Sequence, residues 1–196
     1  MAKARRTNRK VGAEGYAAAL ADVAALVEAL GHPAAIIGGV AVIAHGFARA
    51  TADIDVAVSA EQADIPQLVR LARTYGFRPR IPNAAKFAAE NLVLLLVHAG
   101  SGVPLDLSLA LQGFERSANE SSVGRSIGGV AVRVTPLWAL LIYKMVASRP
   151  KDLDDVRALV ATGAPFDGAL IVRTLRELDA VLETSRAEEF EQLLRH

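Results

Sequence analysis

A chain of 196 residues with 52% hydrophobic content can bury one sizeable core and carry a helical appendage. A net charge of +1 gives no global pull toward nucleic acid or acidic membrane. The absence of cysteine excludes disulfides, thiolate nucleophiles and cysteine-bound zinc, and it fits a reducing, cytoplasmic setting.

The first ten residues carry Lys3, Arg5, Arg6, Arg9 and Lys10, which reads as a disordered, solubilising basic tail that could also touch RNA phosphates. No secretory apolar core follows, because Glu14, Asp22 and Glu28 interrupt the next stretch, and no transmembrane helix is expected. From about Val11 to Leu30 the apolar residues recur at helical spacing, and Gly31-His32-Pro33 ends that helix. Ala34 to Ile37 is a short strand meeting Gly38-Gly39, after which Val40 to Phe47 forms a short helix. Asp53 to Val58 alternates as a strand, and Glu61 to Tyr75 is a helix closed by Gly76. Phe77 to Ile81, Leu92 to Val97 and Val103 to Leu109 read as further strands, so the sheet is mixed. A Gly/Ser-rich stretch, Ser117 to Gly129, leads through a hairpin turn into Val130 to Val134. Thr135-Pro136 starts a helix that Thr135 would cap, running to about Ser148. Lys151 to Ala161, Asp167 to Leu182 and Ser185 to Arg195 complete a helical final third. Three parts follow: a tail at 1–10, a core at 11–134 and a helical lobe at 135–196.

Chemistry concentrates at two places. Residues i and i+2 of a strand point the same way, so Asp53 and Asp55 project together and repel unless divalent cations offset them. Asp106, flanked by Leu105 and Leu107, would leave its carboxylate on the face opposite the core, beside that pair. Three acids could hold two magnesium ions, an arrangement suited to in-line displacement at phosphorus. Gly38-Gly39 supplies the other half, since glycine allows close approach of phosphate and the following helix offers unpaired N–H groups. His32, His45, His98 and His196 lack metal-ligand spacing, and His45 and His98 read as packed, hydrogen-bonded residues. Ser101 and Ser108 show no histidine partner or nucleophile elbow. Trp138 and Tyr143 fall on an apolar helical pattern and read as core.

The order Ile37-Gly38-Gly39-Val40-Ala41, then Arg49-Ala50-Thr51-Ala52-Asp53-Ile54-Asp55-Val56, resembles the polymerase-beta-like nucleotidyltransferases. Gly38, Gly39, Ala41, Gly46, Arg49, Thr51, Asp53 and Asp55 are similar to the pattern of their AbiEii-type branch, and Lys144, Arg149, Lys151, Asp152 and Asp155 resemble its second block. The resemblance implies an α/β nucleotidyltransferase fold with a mixed sheet, flanking helices and a C-terminal helical lobe. It implies transfer of a nucleoside monophosphate from an NTP to an acceptor hydroxyl, with Asp53, Asp55 and Asp106 binding magnesium. Asp106 would also activate the hydroxyl. Lys144 would neutralise phosphate charge, with Asp152 or Asp155 holding that lysine or contacting the base. Gly38, Gly39, Arg49 and Thr51 would line the nucleotide, although Arg49 could instead pair with a neighbouring carboxylate. The acidic run after Pro150 also reads as an ordinary helix first turn. A toxin-like enzyme acting on tRNA, with a cognate antitoxin, is the first expectation. Antibiotic or protein nucleotidylylation, or a noncatalytic binding module of the same fold, are the alternatives.

Overall fold

The structure is a computed structural model that describes residues 12–110 and 113–195, so the expected basic tail and His196 lie outside the described residues. Helix α1 (Ala13–Ala29) buries Ala19, Leu20, Val23, Leu26 and Val27, an i, i+3, i+4 stripe, and stops where Gly31 turns at φ +69°. Strand β1 (Ala34–Ile37) runs directly into α2 (Gly38–Ala44), and β2 (Ile54–Val58) follows after a loop. Helix α3 (Ile65–Thr74) carries a proline in its first turn, where no N–H is needed, and leads into β3 (Phe77–Pro79). Then come α4 (Ala84–Asn91), β4 (Val93–His98), β5 (Pro104–Leu109), α5 (Phe114–Glu120), β6 (Val123–Ile127) and β7 (Val130–Val134). Four helices close the chain: α6 (Leu137–Ala147), α7 (Pro150–Ala161), α8 (Gly168–Leu182) and α9 (Arg186–Leu193).

The strands form one seven-stranded sheet in the order β3-β4-β5-β2-β1-β7-β6. It is mixed, as expected: β2 pairs parallel with β5 and β1 parallel with β7, while the remaining neighbours are antiparallel. In β5 the residues alternate half-buried and buried, with Leu105, Leu107 and Leu109 turned into the core and Asp106 on the other face. Helix α6 buries Leu137, Ala139, Leu140, Leu141, Ile142 and Met145, nearly its whole circumference. It packs against both α7 and α8, and one apolar cluster runs from Leu20 in α1 through Leu140 to Phe190 in α9.

The structure corrects several sequence expectations. The Gly/Ser-rich stretch holds a helix end and a strand, α5 and β6, because β6 needs only hairpin pairing with β7 rather than apolar alternation. Helix α4 was not anticipated either, since its small residues, Ala84 and Ala88, bury one face without a strong periodic signal. Thr135 does not cap α6: Pro136 occupies that position, and the buried Thr135 hydroxyl has no hydrogen-bond partner among the described residues. Strand β3 ends at Pro79, although the Arg80 N–H still donates to the Leu95 carbonyl at 3.0 Å.

Candidate active site

Sheet register brings the acids together. Asp55 is the direct partner of Ile37 on one side and of Asp106 on the other, so the Asp55 and Asp106 side chains leave the same face of adjacent parallel strands. Asp53 lies just before β2, exposed, at the mouth of this pair. Burial, then repulsion from Asp53 and Asp106, pushes the Asp55 carboxyl up to about 6. Burial raises Asp106 as well, against the pull of Arg80.

The glycine pair is explained by what faces it. A Cβ on Gly38 would stand 1.9 Å from Asp55 Oδ2, and one on Gly39 would stand 2.6 Å from Thr51 Oγ1. Gly38 also has φ +63°, a conformation that only glycine adopts without strain. The missing side chains thus let the acid strand close against the first turn of α2. Thr51 in turn donates to Asp53, reaching Oδ1 at 3.1 Å, and the Tyr16 hydroxyl from α1 donates to the Asp53 carbonyl at 3.0 Å. Burial and the nearby Asp53 push the Tyr16 hydroxyl up to about 12, so it remains a donor.

The second block folds into a buried ion network. Lys144 Nζ, on α6, lies 3.0 Å from Asp152 Oδ1 and 2.7 Å from Asp155 Oδ2, both on α7. Arg49 reaches Asp155 at 2.6 Å, and Arg149 completes the set on Asp152. Burial opposes ionisation of Asp152, yet hydrogen bonds from Arg149 and Lys144 outweigh it and hold the carboxyl below its ordinary value. Arg49 therefore pairs with a neighbouring carboxylate, and Asp152 and Asp155 are buried partners of Lys144 rather than a solvated first turn. Lys144 still lies near enough to Asp55 to favour its charged form, as does Lys151.

Among the described residues, no three acidic or histidine side chains converge as a ready metal cage. Arg80 holds Asp106 Oδ1 at 2.7 Å and so claims one of the oxygens. The donors at hand, Asp53, Asp55 and Asp106, are all carboxylates, the hard oxygen ligands that magnesium takes. Arg80 escaped the sequence reading because its partner is 26 residues away and two strands over in the sheet. Tyr16 escaped it because α1 gave only an apolar pattern.

The other candidates stay structural. His45 hydrogen-bonds the Thr135 carbonyl at 2.9 Å, and burial lowers its basicity. Ser101, contrary to expectation, does have a histidine partner: His98 Nδ1 lies 2.8 Å from its Oγ, and Nε2 lies 2.9 Å from Asp22. The Ser101 backbone N–H also points at Nδ1, which makes Nε2 the protonated nitrogen that donates to Asp22. This trio pins the β4–β5 turn to α1. Trp138 and Tyr143 are half-buried beside a cavity rather than sealed in the core.

No protein-family model and no curated protein matches the chain. Solved structures do. The antibiotic-resistance factor ANT(2'')-Ia, in its solution structure, aligns with TM-score 0.58 and 16% identity over 93% of this chain and 99% of its own. The same protein in complex with adenylyl-2''-tobramycin aligns with TM-score 0.54 and 18% identity, over 84% and 95%. An antigenic nucleotidyltransferase-like protein from Paracoccidioides brasiliensis aligns with TM-score 0.56 and 15% identity, over 94% of both chains. The chain has the nucleotidyltransferase fold, a mixed seven-stranded sheet with flanking helices. No helix among the described residues is long and apolar enough to cross a membrane.

Proposed function

We propose that the chain is a nucleotidyltransferase that moves a nucleoside monophosphate from an NTP to the hydroxyl of a small polar molecule. The observation that carries this reading is the register pairing of Asp55 with Asp106 against the Gly38-Gly39 turn. Such an unmatched set of carboxylates calls for external positive charge, and magnesium held by Asp53, Asp55 and Asp106 would supply it along with the means to neutralise a triphosphate. In the reaction the acceptor oxygen bonds to the α-phosphorus as the bond from phosphorus to the bridging oxygen breaks, releasing pyrophosphate. The hydroxyl proton passes to Asp106, whose raised basicity suits it to accept. Arg80 keeps that carboxyl oriented. Lys144, steadied by Asp152 and Asp155, adds positive potential on the Asp55 side, where phosphate charge accumulates. The Gly38 and Gly39 amides at the start of α2 would meet the phosphates.

The small-molecule acceptor is supported by a fold relative that was solved with adenylyl-2''-tobramycin. An RNA acceptor, with an antitoxin as partner, is the second reading, favoured by the Arg49 to Asp55 sequence pattern and the basic first ten residues. Incubation with each labelled NTP, magnesium and either aminoglycosides or total RNA separates them. Label is expected in the aminoglycoside pool and absent with Asp55→Asn. Label confined to RNA would move the acceptor to the second reading, and label in neither pool would remove the support for transfer to these acceptors.

A further inference from the structure

A cavity lies away from the acids. It has a volume of about 710 Å³ and opens between α5, α6 and α8. Trp138, Val146 and Tyr143 of α6 face it, and at about 100° per residue Lys144 falls on the opposite side of that helix. The cavity is therefore distinct from the site built around Asp55.

Its lining has a definite chemistry. Phe114, Trp138 and Tyr143 supply three aromatic rings, with Phe114 and Tyr143 tilted against each other at a centroid distance of 5.1 Å. Glu115 stands half-buried among them, and Glu177 and Arg173 are exposed at the mouth. None of these three charged residues forms an ion pair among the described residues, although Arg173 and Glu177 are one helical turn apart. The Tyr143 hydroxyl is buried beside the Glu115 carboxyl and, among the described residues, completes no well-formed hydrogen bond. Thr174 also lines the space, is 9% exposed, and its hydroxyl makes no hydrogen bond among the described residues. Buried polar groups are normally satisfied, so the buried Tyr143 hydroxyl, with the Glu115 carboxyl beside it and the Thr174 hydroxyl on the same lining, marks a place for a polar guest.

We infer that this cavity binds an organic ammonium, a cationic nitrogen carried on an apolar frame. Aromatic faces attract a cation through their quadrupole, and the carboxylate of Glu115 gives it a charged hydrogen-bond acceptor inside. With Glu177 and Arg173 cancelling at the mouth, the lining keeps one net negative charge, which a single ammonium matches. A free anion would meet Glu115 instead. The site does not depend on nucleotidyl transfer, since neither NTP nor magnesium is part of it.

Trp138 is the one tryptophan of the chain, so its fluorescence reports on this cavity. The full chain, without nucleotide or divalent cation, is titrated with 2-phenylethylamine and with 2-phenylethanol, which share a shape but differ in charge. The amine is expected to give a saturable change, and the alcohol should bind about tenfold more weakly or worse. Glu115→Gln should weaken the amine about tenfold and leave the alcohol unchanged, with Glu177→Gln showing a smaller loss. A flat titration with the amine, or equal binding of amine and alcohol to the unmodified chain, would overturn the inference without any variant having to fold.

Discussion

Two groups of acids in this chain meet opposite fates. At the sheet, Asp53, Asp55 and Asp106 lie near one another and, among the described residues, Arg80 is the one cation paired with them, so Asp55 becomes hard to ionise. Between α6 and α7, Asp152 and Asp155 are more deeply buried, at 0% and 3% exposure, yet Lys144, Arg49 and Arg149 surround them. The deeper pair is the electrostatically comfortable one. Depth alone does not mark a working carboxylate: the signal is charge left uncompensated by the protein, which something arriving from outside must balance.

That contrast breaks first under substitution of one acid from each group. Asp55→Asn should cut nucleotidyl transfer by about 10²- to 10³-fold, the scale of losing one preorganised charged partner, while the melting temperature of the ligand-free protein rises. A transfer assay beside a thermal melt reads both, and a variant that lost activity by melting early would contradict the contrast. Asp152→Ala should do the reverse to stability, costing about 3 kcal/mol in urea unfolding because it strips a partner from buried Lys144.

Acid and base then sharpen the difference. The folded-state value of Asp55, about 6, lies above its ordinary 3.8, so below that ordinary value both folded and unfolded chains hold the proton. Between the two values only the folded chain keeps it, and stability contributed by this group falls as pH rises through that window. Asp152 is depressed, so its contribution is full above the ordinary carboxylate value and is lost as pH falls through its lowered one. Melting curves without divalent cation should show the first slope, and Asp55→Asn should flatten it. The smallest effect is expected from Arg80→Ala, a few-fold loss in turnover with little change in KM for the NTP, because Asp106 stays in place but loses its orientation.

Much of the frame was legible in the chain itself. Leu105, Leu107 and Leu109 alternate with Asp106 and Ser108, which is enough to assign a strand and the face of its acid. The glycine turn before a carboxylate strand was equally plain. What escaped depends on pairings that no local pattern encodes. Arg80 becomes relevant only when β3, β4 and β5 lie side by side, and His98 finds Asp22 only across the sheet and α1. The ions of α7 were visible as residues, but whether Asp152 faced water or Lys144 was a question of how α6 packs. Helices α4 and α5 were lost for another reason: alanine, serine and asparagine give weak periodicity, and tertiary contact chose the helix.

The interlock of Gly38 with Asp55 reaches beyond this one conformation. One residue lacks a side chain so that the other has somewhere to lie, which makes the pair a single hereditary unit despite the stretch of chain between them. Alanine at 38 should be worst tolerated beside the intact acid and only partly relieved once position 55 is itself shortened, because the backbone at φ +63° still strains any residue that carries a Cβ.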